Sequence, residues 1–81
     1  MKTITYFTEG TCSKRIDIVL NDDDTIEDVQ FLGGCNGNLQ GIGRLVKGMP
    51  REEAIARLKG IRCGVKPTSC PDQLARALMQ G

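Results

Sequence analysis

Apolar and polar residues alternate from Thr3 to Thr8, with Ile4 and Tyr6 on one side and Thr3, Thr5 and Phe7 on the other. A period of two in β-branched and aromatic residues predicts a strand. Glu9-Gly10-Thr11-Cys12-Ser13 reads as a turn, and Lys14 to Leu20 then alternates again, with Ile16, Ile18 and Leu20 inward and Arg15 and Asp17 outward. Asn21-Asp22-Asp23-Asp24 brings side chains that tolerate tight-turn dihedrals. A third strand is predicted over Thr25 to Leu32, with Val29 and Phe31 on one face. Ile26 is out of phase with them, which requires a bulge or an edge position. Three strands joined by short links predict an antiparallel meander with one apolar face to cover.

The period changes after Gly33-Gly34-Cys35-Asn36-Gly37-Asn38, the sharpest break in the chain, where glycines permit left-handed dihedrals. Leu39, Ile42, Leu45 and Val46 recur at helical spacing. Gly41 and Gly43 each weaken a helix by roughly 1 kcal/mol relative to Ala, so they point to close backbone packing on the sheet. Gly48-Met49-Pro50 ends this helix and opens a second, with Pro50 at its first position. Glu52 and Glu53 in the first turn and Arg57 and Lys59 in the last suit the helix dipole. Ile55 and Leu58 form its expected buried stripe, and Gly60 ends it. Ser69-x-x-Asp72 has the form of a capping box for a last helix, with Pro71 in the first turn and Leu74, Ala75, Leu78 and Met79 as its apolar side. The predicted fold is α+β: a three-stranded antiparallel sheet with two to three helices packed on one face, in a single domain over residues 1–81.

At 81 residues, 40% hydrophobic and without Trp, the core on offer is modest. Domains of this size commonly need a covalent, metal or subunit staple. The net charge of +1 hides an asymmetry. Met1 to Gly43 holds three basic and seven acidic residues, and Arg44 onward holds eight and three. The basic residues are spaced along helices without stacking aromatics, so a solvated surface is favoured over a nucleic-acid footprint. No run of about 18 apolar residues and no basic-then-apolar leader is present, and the expected compartment is the cytoplasm.

Several motifs are approached and missed. The contiguous Asp22, Asp23 and Asp24 lack the alternating ligands, the Gly and the closing Glu of a calcium loop. Gly43 to Gly48 has the first spacing of a phosphate loop, but Met49 stands where Lys is needed. Gly41 and Gly43 are followed by Val46 where a dinucleotide fingerprint needs its third Gly. The pair of short helices superficially resembles a helix-turn-helix, with Arg51, Arg57 and Lys59 available to phosphates. Its second helix, however, would enter the groove acidic end first.

Cys12, Cys35, Cys63 and Cys70 remain, each in a turn or loop. In a reducing compartment, four cysteines point to metal or redox chemistry rather than a disulfide framework. Four thiolates satisfy the closed tetrahedral coordination of structural zinc, and an iron–sulfur cluster uses the same donors. No Cys-x-x-Cys occurs and there is no His, so no mixed-ligand set and no imidazole base is on offer. Two other readings stand beside zinc. Cys63 and Cys70 could form a reversible thiol pair, with Cys70 activated at a helix N-terminus. Alternatively, all four are small buried hydrophobes. No catalytic constellation is evident.

The run Thr68-Ser69-Cys70-Pro71-Asp72 reads TSCPD, and the chain strongly resembles the small stand-alone members of the TSCPD-domain family. The likeness extends from the Gly33-Gly34-Cys35-Asn36-Gly37-Asn38 segment through Leu58 to Cys63 and on to Asp72-Gln73-Leu74-Ala75. It implies that Cys12, Cys35, Cys63 and Cys70 act as a set, and that the domain is related to a C-terminal module of cobalamin-dependent ribonucleotide reductases. Reduction of a ribonucleotide requires a radical generator and a barrel that this length cannot hold. The resemblance therefore implies a metal-binding accessory module, with a ribonucleotide reductase or a nucleic acid as partner, and zinc is the metal that the four cysteines favour. A redox adaptor for such a reductase and a nucleotide or nucleic-acid binder through the basic half are the alternatives.

Overall fold

The structure is a computed structural model that describes residues 1–8, 13–34, 36–62 and 64–80, Asn36 by its backbone alone. Three strands form one antiparallel sheet in the order β1 (Lys2–Phe7), β2 (Ser13–Leu20), β3 (Ile26–Gly33). Three helices follow: α1 (Asn36–Val46), α2 (Arg51–Leu58) and α3 (Cys70–Gln80). The α+β architecture is the one the periodicities predict, with element ends differing by a few residues.

The alternation places Ile4, Ile16, Ile18, Leu20, Ile26 and Val29 on the covered face, where Val46, Ala54, Leu74, Ala77 and Leu78 of the helices meet them. Burying an Ile or Leu completely is worth about 1.5–3 kcal/mol, and Ile16, Ile18, Leu20 and Leu74 are all buried to that degree. α3 lies on β1 and β2, α1 on β3, and α2 packs against α3.

Two register shifts interrupt the β2–β3 ladder. Val19 pairs with Asp28 and Leu20 with Ile26, so Glu27 is an extra residue. That bulge brings Ile26 into the core beside Val29, as its phase requires. The second shift has no counterpart in the sequence pattern. Ser13 pairs with Gly33 and Arg15 with Leu32, leaving Lys14 as the extra residue of β2. β3 is also an edge strand, and its first residue is capped by the α1–α2 link: the Ile26 amide donates to the Met49 carbonyl at 3.0 Å and the Gly48 amide to the Ile26 carbonyl at 2.7 Å. Covering an edge in this way blocks pairing with another chain at that point.

The helix stripes need correction. Leu45 is 76% exposed, because α1 lies along β3 with Leu39, Gly43 and Val46 turned to the sheet. A methyl on Gly43 would lie 3.2 Å from the Val29 carbonyl oxygen, so this glycine does mark a close approach. Gly41 does not, since nothing lies within 4 Å of the same position. In α2 the fully buried residue is Ala54, with Ile55 and Leu58 only partly covered, because the helix approaches α3 closely on its smallest side chain. Pro50 stands just before α2 instead of inside it, bridged to Thr25 beyond the start of β3. In α3, Ala77 is buried and Met79 is exposed. Among the described residues no helix is long and apolar enough to cross a membrane.

Candidate metal centre at the end of the sheet

Of the four cysteines, Cys70 is described; Cys12, Cys35 and Cys63 lie outside the described residues. Among the described residues no group of three or more His, Cys, Asp or Glu side chains forms a metal cage. The described chain neighbours of Cys12, Cys35 and Cys63 include Ser13, Gly34 and Ile61.

Cys70 is the first residue of α3, as its capping signals require. The Ser69 hydroxyl caps the helix by accepting from the Asp72 amide at 3.2 Å, and the Ser69 carbonyl accepts from the Gln73 amide at 2.8 Å. The usual reciprocal arm of a capping box is absent. The Asp72 carboxylate instead accepts from the Gly60 amide at 2.7 Å, from the Thr68 hydroxyl and from Arg76 Nε at 3.0 Å. The Ser69 hydroxyl donates to the Ile61 carbonyl at 2.7 Å, and Gln73 Nε2 donates to Thr68 Oγ1 at 3.0 Å. These bonds tie the two ends of the 60–69 loop, which carries position 63, to the first turn of α3. Burial pushes the Asp72 carboxyl up, but the hydrogen bonds from Thr68 and Gly60 and the Arg76 guanidinium outweigh it and hold the group below its ordinary value.

The Cys70 sulfur lies 3.3 Å from Ser13 Oγ. Ser13 is 3% exposed and opens β2. Its carbonyl accepts a hydrogen bond from the Thr8 hydroxyl at the end of the preceding strand. Gly33 pairs with Ser13 across the ladder, and Gly34 packs on the Ser13 backbone: a methyl there would sit 3.2 Å from the Ser13 nitrogen and 2.8 Å from Leu39 Cδ1. Gly33 and Gly34 have φ of 81° and 82°, which favours glycine at both, and at Gly34 the close approach adds a steric ground.

Ser13, Gly34 and Cys70 meet at one end of the sheet, and the Ile61 carbonyl is held by Ser69, the residue before Cys70; Ser13 and Gly34 adjoin positions 12 and 35, and Ile61 stands two before position 63. The Thr68–Asp72 pentapeptide holds two of these together. A family model of the TSCPD domain matches residues 1–81. The chain belongs to the TSCPD-domain family. No curated protein and no solved structure gave a significant match. A TSCPD domain is a small unit related to modules of ribonucleotide reductases. In this TSCPD domain the signature has a structural part, since Thr68, Ser69 and Asp72 all bind backbone or one another around the helix start.

The sequence places Cys70 at a helix N-terminus with Ser69 as the cap, as the structure has them, but does not single out Ser13, Thr68 or Gln73 for their contacts. No local signal points to Ser13, because regular alternation would turn it away from the core. Thr68 was legible only as part of the signature.

A cleft of the TSCPD domain lies elsewhere, between β3 and α1. Its volume is about 380 Å³, and its lining includes Asp28, Gln30, Gln40, Arg44 and Lys47. The basic half thus contributes two cations to one groove. Of the helix-turn-helix cations, Arg51 is paired with Asp24 and Arg57 with Glu53.

Proposed function

We propose that this domain is a non-catalytic metal-binding module in which the thiolates of Cys12, Cys35, Cys63 and Cys70 hold one zinc ion. The observation that carries the reading is the meeting of Ser13, Gly34 and Cys70 at one end of the sheet, with the Ile61 carbonyl held by Ser69 beside Cys70. Consecutive Cα atoms are about 3.8 Å apart, so neighbours that meet support ligands that meet. The donor set fits the ion: four soft thiolates complete a tetrahedral site with no position left for water or substrate. When bound, zinc would supply crosslinking of three chain segments, not hydrolytic chemistry. A small core with few aromatics gives such a staple a purpose. The family relation favours a ribonucleotide reductase as the partner of the module.

The deciding measurement is elemental analysis of protein purified without added zinc and again after zinc loading, with a thiol count on each. About one zinc per chain, with thiols protected from alkylation until a chelator is added, supports the reading. Failure to retain zinc after loading, with rapidly reacting thiols or a Cys63–Cys70 disulfide on mild oxidation, replaces it with the redox alternative.

A further inference from the structure

We infer that the Ser13 hydroxyl is a positioning group for Cys70, donating a hydrogen bond to its thiolate in the metal-loaded protein. The inference rests on the zinc reading given above and adds to it a residue outside the four ligands.

The bulge in β2 is the first observation. With strict alternation Lys14 would share a face with Ile16 and Ser13 would point to the open side of the sheet. The extra residue reverses this, and Ser13 is buried on the same face as Ile16. Bulges commonly re-aim one side chain next to a functional site. Here the re-aimed side chain is a hydroxyl, and it arrives 3.3 Å from the Cys70 sulfur. Its backbone is fixed from two sides, by the Thr8 hydroxyl and by Gly34.

The second observation is chemical. A serine hydroxyl has one proton and a thiolate has none, so the bond between them runs from oxygen to sulfur once the sulfur is a metal ligand. A charge-assisted bond of this kind fixes the sulfur lone pairs and draws electron density from the ligand. Groups that hydrogen-bond to ligands typically alter metal affinity by 10- to 100-fold when removed.

The test compares Ser13→Ala and Ser13→Thr with the parent chain, using zinc ion competed against a chromogenic chelator and, separately, cobalt(II) as a spectroscopic probe. The expected result is a loss of zinc affinity of about 10- to 100-fold in Ser13→Ala, largely restored in Ser13→Thr. The thiolate-to-cobalt charge-transfer band should move to lower energy in Ser13→Ala and not in Ser13→Thr. The cobalt band is read on loaded protein, so it stays informative if the metal-free variant is unfolded. Parent protein that binds zinc, with Ser13→Ala binding within twofold and an unshifted band, overturns the inference alone. Equal losses in both variants without a band shift mean lost packing and also overturn it. Parent protein that binds no zinc removes the reading beneath it.

Discussion

Replacing Asp72 by Asn tests the claim that one buried carboxylate closes the 60–69 loop onto α3. The carboxylate side chain is 4% exposed and accepts from Gly60, Thr68 and Arg76. Asn keeps the shape but offers one acceptor oxygen, and its amide group must face either the Gly60 N–H or the Thr68 hydroxyl. Thr68 already accepts from Gln73, so its hydroxyl has little freedom to reverse. One bond to a charged acceptor is lost and a second becomes neutral, and hydrogen bonds to charged groups are worth about 1.5–3 kcal/mol against about 1 for neutral ones. The Arg76 pair adds less than about 1 kcal/mol, because the guanidinium side is half exposed. The expected loss is about 3 kcal/mol. A domain of this length has roughly 4–12 kcal/mol in total, so the variant should melt at least ~12 °C lower. Urea unfolding followed by far-UV circular dichroism at neutral pH, with and without chelator, measures it. Arg76→Ala is the comparator and should cost less than about 1 kcal/mol. Amide exchange at Gly60 should quicken in Asp72→Asn and stay unchanged in Arg76→Ala. If the two variants are equally stable, the loop is held by something other than this carboxylate.

Three further outcomes follow from the packing. Gly41→Ala should stabilise the domain by about 0.5–1 kcal/mol, since the position is helical and open, while Gly43→Ala should fail to show that gain because Val29 O stands 3.2 Å from the new methyl; thermal melts of both variants decide it. Val46→Ala, in the core, should cost about 1–3 kcal/mol, whereas Leu45→Ala should change stability by less than about 0.5 kcal/mol in the same denaturation assay. Asp23 is held below its ordinary value of 3.8, first by the Thr25 hydroxyl at 2.6 Å and then by the Thr25 amide. A depressed carboxylate contributes stability above its unfolded value and loses it as pH falls through the folded one. Carbon-13 titration of Thr25→Val should therefore show Asp23 moving up toward 3.8, with a shallower loss of stability below that pH.

What was legible in the chain was whatever repeats. Ile4, Ile16, Ile18 and Leu20 announce two strands by a period of two, and the out-of-phase Ile26 announces the bulge at Glu27. Helix ends were readable from Gly60 and from the Ser69 cap. Contacts that depend on one element meeting another were not. Leu45 has helical spacing yet faces solvent, because the face that α1 buries is chosen by Gly43 and Val29. The Lys14 bulge leaves no trace in the pattern, since Ser13 and Arg15 are both acceptable on an open sheet face. The candidate site follows the same division. The cysteines proposed as its ligands stand out as a residue type, but Ser13 enters only once β2 and α3 are placed together.

The five residues of the family signature divide their labour in a way that bears on what such a module does. Every described polar contact of Thr68, Ser69 and Asp72 stays within residues 60–76. They cap a helix and close the loop that precedes it. Cys70 alone reaches out of that segment, to a residue 57 positions away at the start of β2. Four of the five positions can therefore be read as scaffold, with Pro71 setting the first helical turn. Their joint effect is to deliver one sulfur at a defined place beside the β2 bulge and the left-handed Gly33-Gly34 corner. The zinc centre proposed above would use such an arrangement, because each ligand of a closed tetrahedral site must arrive from a fixed direction.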